Sequence, residues 1–329
     1  MSQNRNDIGK ILQDLENHIQ GFSYGTSPNE LYEPISYIMS LGGKRIRPLL
    51  TLLSYSLYKD DYQEILTPAM AVEVFHNFTL MHDDIMDNAP LRRGKATVHE
   101  KWNANTAILS GDVMLVRAYD MLLDVDPNLL PICLRLFNQT AAEVCEGQQH
   151  DMNFEKMGTV SEEAYIDMIR QKTAVLLGFA LEFGAILAGA PTDDARKLYE
   201  FGVNIGIGFQ LKDDLLDVYA DKEKFGKQVG GDIISNKKTF LLLKAKALAT
   251  GPQKEELENW IAVKEFNKDE KVRAVTAIYD QIGIKSITER KMQEYFEKGF
   301  AQFASLNAPK EEAFAVLLKI TQDLVDRER

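Results

Sequence analysis

Apolar residues recur along this chain mostly at intervals of three and four, the spacing of one face of an α-helix. Ile8, Ile11, Leu12, Leu15 and Ile19 form a first stripe. "YEPISYIMSLGGKRIRPLLTLLSYSLY" reads as a helix, a Gly-Gly break, and a second helix that opens near Pro48, where proline suits a first turn. "LTPAMAVEVFHNFTLMHDDIMD" is a strong third helix that runs into an acidic cluster, and Asn88, Pro90 and Gly94 then supply a loop. Two more helices follow in "ANTAILSGDVMLVRAYDMLL" and "PNLLPICLRLFNQTAAEVCEGQQHDM". Thr159 and Glu162 are placed to cap the long apolar "YIDMIRQKTAVLLGFALEFGAILAG". "DDARKLYEFGVNIGIGFQLKDDLLDVYAD" precedes a glycine-rich loop, "FGKQVGGD", then "KKTFLLLKAKALA" and about three amphipathic helices. Strict alternation bounded by tight turns is nearly absent. The pattern predicts an all-α fold of ten or more helices, and no linker divides residues 1–329 into more than one domain.

Composition sharpens this only at the edges. The 329 residues are 45% hydrophobic and 26% charged, ordinary for a globular chain. The net charge of −11 speaks against nucleic acid, which is bound by basic surfaces. Two cysteines, Cys133 and Cys145, are too few for a disulfide framework, which favours the cytoplasm. The first twenty residues lack the apolar run of a signal peptide, and no stretch is long enough for a membrane span.

Two acidic runs carry the chemistry. "MHDDIMD" and "LKDDLLD" share the pattern DDxxD, and each closes a long apolar helix. Residues four apart share a helix face, so Asp83 pairs with Asp87, and Asp213 with Asp217, about 6 Å apart along the axis. Like charges at that spacing, set at a helix C-terminus, weaken the helix. A divalent cation reverses the sign of that interaction. Mg²⁺ suits the arrangement, because it takes one or two carboxylates together with waters and phosphate oxygens. Cations lie near both runs. "GGKRIRP" offers Lys44, Arg45 and Arg47 at a helix start, where guanidiniums and backbone N–H groups bind phosphate. Arg92 and Arg93 follow the first run. Lys172 and Thr173 interrupt an apolar helix, and Lys227 and Lys237 follow the second run. Metal-type carboxylates with nearby cations suit a diphosphate ligand.

"GGKRIRP", "MHDDIMDNAPLRRGKATVH", "GQQHD", "RQKTA", "GFQLKDDLLD", "FGKQVGGDI" and "NKKT" resemble, in order, the motifs of the trans-isoprenyl diphosphate synthases, or polyprenyl synthetases. The resemblance covers roughly residues 38 to 240. It implies an isoprenoid synthase fold with a central cavity, aspartate runs facing each other across its mouth, and a homodimer. It also implies three Mg²⁺ ions, held by Asp83 and Asp87 with Asp84 supporting, and by Asp213 with Asp214 and Asp217. Arg92, Lys172 and Lys227 would hold an allylic diphosphate (dimethylallyl, geranyl or farnesyl), and Lys237 would close over it. Lys44, Arg47, His76 and Arg93 would hold isopentenyl diphosphate, while Thr173 and Gln210 would lie near the reacting carbons. Two departures stand out: Phe240 occupies a position where the family often has proline, and the tail "DLVDRER" is only mildly basic.

Product length is expected to depend on the helix before Asp83. Phe78 and Thr79 lie five and four positions before it, and Phe75 lies one turn deeper. In the family, an aromatic followed by a small residue there resembles enzymes making a twenty-carbon product. Geranylgeranyl diphosphate is therefore expected, with farnesyl diphosphate as the alternative and a non-catalytic subunit of a heteromeric synthase as a further one. Glu73 and His76 form an ExxH pattern, but a di-iron site needs two more glutamates and a second ExxH, and the chain has no second ExxH, only Glu146 and His150 at the wrong spacing. His82 and His99 read as hydrogen-bonded or surface histidines.

Overall fold

The stripe on the first helix, α1 (Ser2–Gly21), turns Ile11, Leu15 and Ile19 into the core. The computed structural model describes residues 2–220, 230–307 and 309–326. The fold is all-α, as the periodicity predicts. By their contacts the residues divide into two units.

The first unit comprises Met1–Asn138, Phe179–Leu198 and Leu306–Lys319. After α1 come α2 (Asn29–Ser40), α3 (Ile46–Ser56) and α4 (Leu66–Met86). α3 and the first half of α4 are buried on all sides, from Pro48 to Tyr55 and from Pro68 to Phe75. Such all-round burial marks core helices rather than surface ones. Between Leu91–Arg92 (β1) and Lys95–Ala96 (β2) the chain makes a small antiparallel hairpin. Its two turn residues, Arg93 and Gly94, have φ of 53° and 74°, as a type I′ turn requires. The sequence marks this stretch only as a loop, since arginine is not a usual residue for the first turn position. Then follow α5 (Val98–Lys101) and α6 (Ala104–Leu122), and α6 packs closely along α4.

α7 (Leu130–Lys156), α9 (Val175–Leu187), α10 (Thr192–Tyr219) and α16 (Glu311–Asp326) each contribute residues to both units. In the first unit Ser54 Oγ donates to the Leu181 carbonyl at 2.6 Å. A Cβ on Gly184 would lie 2.1 Å from the Thr51 carbonyl, so only glycine permits the approach there.

The second unit comprises Gln139–Gly178, Tyr199–Ser305 and Ile320–Arg329. It holds α8 (Glu162–Ile169), a π-turn at Arg170–Ala174, α11 (Gly231–Ser235), α12 (Phe240–Leu248), α13 (Gly251–Ala262), α14 (Lys268–Ile282) and α15 (Ile284–Ala304). Ser161, not Thr159, caps α8, its hydroxyl accepting from the Ala164 N–H at 3.1 Å. The expected capping box is therefore displaced: Glu162 sits in the first turn and pairs with Lys244 and Lys291. One apolar cluster gathers Tyr165, Met168, Ile169, Val203, Ile207, Leu211 and Phe240 beneath the ends of α8 and α10. A second packs Leu215, Val218 and Ile233 against α12 to α15. Among the described residues no helix is long and apolar enough to cross a membrane.

Candidate active site

The end of α4 presents its three aspartates differently. Asp83 is half-buried and Asp87, the C-cap, is exposed, while Asp84 is buried. Neighbouring helical residues point about 100° apart, so a face that turns Asp83 and Asp87 outward turns Asp84 inward. The hairpin then folds Arg92 back onto it. Arg92 Nε and Nη2 donate to the two Asp84 oxygens at 2.8 and 2.7 Å. The Asp84 carbonyl also accepts from the Ala89 N–H at 2.9 Å. Asp84 thus anchors the hairpin.

The turn between α2 and α3 supplies the cations. Gly42, Gly43 and Arg45 all have positive φ. Arg93 Nη1 donates to the Gly42 carbonyl, and a Cβ on Gly43 would lie 2.9 Å from the Arg93 guanidinium. Two arginines of this turn meet α4 with opposite results. Arg45 is buried with each of its three side-chain nitrogens engaged: it donates to Glu73 at 2.9 Å, Glu16 at 3.2 Å and the Met39 carbonyl at 2.6 Å. Arg47 Nη1 lies 3.1 Å from His76 Nε2, and its buried Nε finds no hydrogen-bond partner. Burial lowers the Arg47 pKa to about 10, and Glu73 only partly offsets this. Burial, then the charges of Arg47, Arg93, Arg92 and Arg45, hold His76 well below the usual histidine range. His76 is therefore neutral, with Nε2 accepting from Arg47. Lys44 is exposed beside this group. A half-buried guanidinium with a buried Nε left unused, facing a neutral imidazole, fits an anion.

In the second unit the π-turn carries Lys172 and Thr173. Lys172 Nζ donates to Asp151 Oδ2 at 2.7 Å. A Cβ on Gly147 would lie 2.3 Å from the Lys172 backbone nitrogen, and one on Gly206 would lie 2.7 Å from Ala174. These glycines let α7 and α10 close on the turn. Thr173 Oγ1 donates to Gln210 Oε1 at 3.3 Å, and Gln210 Nε2 donates to Asp214 Oδ1 at 3.3 Å. Tyr165 O–H donates to the other Asp214 oxygen. Asp214 is buried, Asp213 exposed and Asp217 half-buried, so the second aspartate is the buried one in both runs.

Burial raises the Asp214 carboxyl to about 7, against the lowering effects of the Tyr165 and Gln210 hydrogen bonds and of Lys237. The segment after the loop docks on Asp217, whose carboxylate accepts from the Asp232 N–H at 2.9 Å. Asp232 in turn accepts the Lys237 N–H through its carbonyl at 2.9 Å. Burial raises Asp232 to about 6, opposed by Lys237 and reinforced by Asp217, Asp151 and Asp213. That crowding of carboxylates is a demand for cations. Lys227 lies outside the described residues.

Among the described residues no three His, Cys, Asp or Glu side chains form a metal cage. The donor set is oxygen only, which fits a hard ion that completes its shell with water and phosphate. Toward the chain-length positions, Phe75 is buried with its ring 5.1 Å edge-on from Phe137 and 5.7 Å from Phe78. The Phe78 ring meets His82 edge-on at 4.8 Å, and Thr79 Oγ1 donates to the His76 carbonyl at 2.8 Å. His82 Nε2 lies 3.2 Å from the Ile108 carbonyl, as a hydrogen-bonded histidine does. His99, by contrast, is half-buried, 3.6 Å from Glu100 and with a buried Nδ1 that has no hydrogen-bond partner, so the surface reading does not hold for it.

Four residues at these sites have no role assigned from sequence: Glu73, Asp151, Tyr165 and Asp232. Arg45, expected with Lys44 and Arg47 among the phosphate-binding cations, is instead turned onto Glu73, Glu16 and the Met39 carbonyl. Asp151 and Asp232 sit inside quoted motif stretches, "GQQHD" and "FGKQVGGDI", so their acidity was visible. Tyr165 carries no local signal, because its partner is 49 residues away.

The family model for polyprenyl synthetases matches residues 28–279. The chain is 39% identical over 269 residues to a short chain isoprenyl diphosphate synthase of Methanocaldococcus jannaschii, covering 82% of this chain and 81% of that protein. It is 40% identical over 271 residues to a geranylgeranyl diphosphate synthase of Saccharolobus solfataricus, covering 81% of each. A crystal structure of a geranylgeranyl pyrophosphate synthase superimposes with a TM-score of 0.90 at 42% identity, covering 100% of this chain and 99% of that one. The chain belongs to the polyprenyl synthetase family, the trans-isoprenyl diphosphate synthases, and is a prenyltransferase.

Proposed function

We propose that this chain catalyses the Mg²⁺-dependent head-to-tail (1′-4) condensation of isopentenyl diphosphate with an allylic diphosphate, giving a short-chain all-trans prenyl diphosphate. Geranylgeranyl diphosphate is the main product in this reading. The observation that carries it is the division of labour among the cations: Arg45 is spent on carboxylates, while Arg47 beside neutral His76 keeps a buried donor unused. The similar proteins named for this chemistry support it as well.

Asp83, Asp87, Asp213 and Asp217 would hold the metal ions, three in this reading. Bound Mg²⁺ supplies positive charge to the leaving diphosphate, so that the allylic C–O bond ionises. Lys172, Lys237, and Arg92 through the Nη1 that its pair with Asp84 does not use, would bind the same diphosphate. Lys227 shares that role in the reading. Lys44, Arg47, His76 and Arg93 would orient isopentenyl diphosphate, so that its double bond attacks the allylic carbon. The Thr173 and Gln210 oxygens would favour positive charge on that carbon, and the released diphosphate accepts the proton. Asp84 and Asp214 serve as anchors that fix the flanking aspartates.

In the reading the two contact units are parts of one catalytic domain, since the family match runs through both. A homodimer belongs to the proposal too. Along one side of α6 and its C-cap, Ile108, Leu109, Val116 and Leu123 are between 42% and 61% exposed, an apolar stripe that a second copy would cover. A cytoplasmic location fits the two free thiols, and nucleic acid is not a partner in this reading.

Incubating purified protein with Mg²⁺, labelled isopentenyl diphosphate and each of dimethylallyl, geranyl and farnesyl diphosphate tests the proposal. Chromatography should show a twenty-carbon product. A dominant fifteen-carbon product would favour farnesyl diphosphate synthesis within the same reaction class. No incorporation with any primer would refute the catalytic reading and leave the non-catalytic subunit.

A further inference from the structure

Arg45 is only 4% exposed and Glu73 only 3%, yet the reaction as derived uses neither. Arg45 also holds φ at 46°, a left-handed conformation that is strained for a residue carrying a side chain. Strain of that kind persists where surrounding contacts over-determine it. Here three contacts do so, from Glu16 on α1, the Met39 carbonyl on α2 and Glu73 on α4. Glu73 is itself held, because Asn77 Nδ2 donates to its carboxylate at 3.2 Å and its carbonyl at 2.9 Å.

Two residues after Arg45, Arg47 meets His76, which follows Glu73 by three positions on the same helix. Residues three apart on a helix are surface neighbours. The turn therefore docks on α4 through two adjacent rungs. The first, Arg45–Glu73, is buried and satisfied. The second, Arg47–His76, keeps an unused donor. We infer that the Arg45–Glu73 pair is a positioning device that fixes where Arg47 and His76 meet the isopentenyl diphosphate. The inference rests on the subsite reading given above. Glu73 serves a second end: it is the negative charge that supports both Arg47 and Arg93 in their charged forms.

The test uses the full-length enzyme. Exchanging both partners, Arg45→Met with Glu73→Met, removes the buried pair together and leaves without its ion partner only Glu16, whose side chain is 37% exposed; such exchanges of buried pairs are often neutral or stabilising. The expected protein is folded by thermal unfolding, with its KM for isopentenyl diphosphate raised roughly tenfold, as small misplacements of binding groups do. Its KM for the allylic substrate should stay within about twofold of wild type. Arg47→Met should also raise the isopentenyl diphosphate KM, and in that background the double exchange should add less than about twofold. A folded double-exchange protein with an unchanged isopentenyl diphosphate KM, while Arg47→Met raises it, overturns the inference alone. Arg47→Met leaving that KM unchanged overturns the subsite reading and the inference with it. Should the double exchange fail to fold, Glu73→Gln, assayed well below its own melting temperature, decides: a raised isopentenyl diphosphate KM with the allylic KM little changed supports positioning, and an unchanged isopentenyl diphosphate KM, or both raised alike, overturns it.

Discussion

The carboxylate of Asp84 lies buried in a two-point contact with the guanidinium of Arg92, at 2.7 and 2.8 Å. It is the second aspartate of its DDxxD run, and Asp214, the second of the other, is buried against Tyr165. Asp84→Ala should therefore act on stability as well as activity. Breaking a buried pair strands the remaining charge, but Arg92 is a quarter exposed, so the loss should be about 1–3 kcal/mol. Asp83→Ala and Asp87→Ala should leave stability within about 0.5 kcal/mol while lowering kcat by roughly 10² or more. Denaturant melts and steady-state rates on the three variants separate the roles.

His76 makes stability depend on pH. Its folded pKa is depressed by burial and nearby arginines, so on acidification the unfolded chain takes up a proton that the folded chain refuses. Stability from this residue is full above the ordinary histidine range near 6.5 and falls as pH drops below it. His76→Gln should lose less stability than wild type between pH 7.5 and 5.5, measured by urea unfolding at about half-unit steps. A larger loss in the variant would contradict the neutral-histidine assignment.

Gly147→Ala should disturb the π-turn. The new methyl would meet the Lys172 backbone at 2.3 Å, which neither helix can accommodate without a shift. The expected result is a fall in kcat/KM for the allylic substrate of about 10- to 10²-fold, with the isopentenyl diphosphate KM little changed. Initial-rate kinetics with each substrate varied in turn read the difference.

Phe78→Ala should lengthen the product. The ring is braced by Phe75 on one side and His82 on the other, so wild type offers a fixed obstacle rather than a mobile one. Reverse-phase separation of the prenyl chains should move from twenty carbons toward longer species, and an unchanged profile would remove Phe78 from the specificity argument.

Much of this was legible in the chain because helices announce themselves by local spacing. The stripe Ile11, Leu15, Ile19 and the apolar run ending at Asp83 lie where the periodicity put them. The cationic turn and both aspartate runs were readable for the same reason, being continuous in sequence. What was not legible depends on distant partners. The inward turn of Asp84 follows from helix geometry, but its pairing with Arg92 needed the hairpin, whose Arg93-Gly94 turn lacks the usual asparagine or aspartate. Tyr165 reaches Asp214 across 49 residues, and Arg45 reaches Glu73 across 28. The cap at Ser161 was missed by two positions because threonine is also an accepted cap residue and Thr159 stands three before Glu162 as a capping box would.

The most direct measurement is incorporation of labelled isopentenyl diphosphate into extractable prenyl product by chelator-stripped enzyme, followed as Mg²⁺ is restored. The account predicts no turnover without the ion, recovery on its addition, and a need for more Mg²⁺ in Asp83→Asn and Asp213→Asn. Turnover in the stripped enzyme, or none in the replete one, would contradict it.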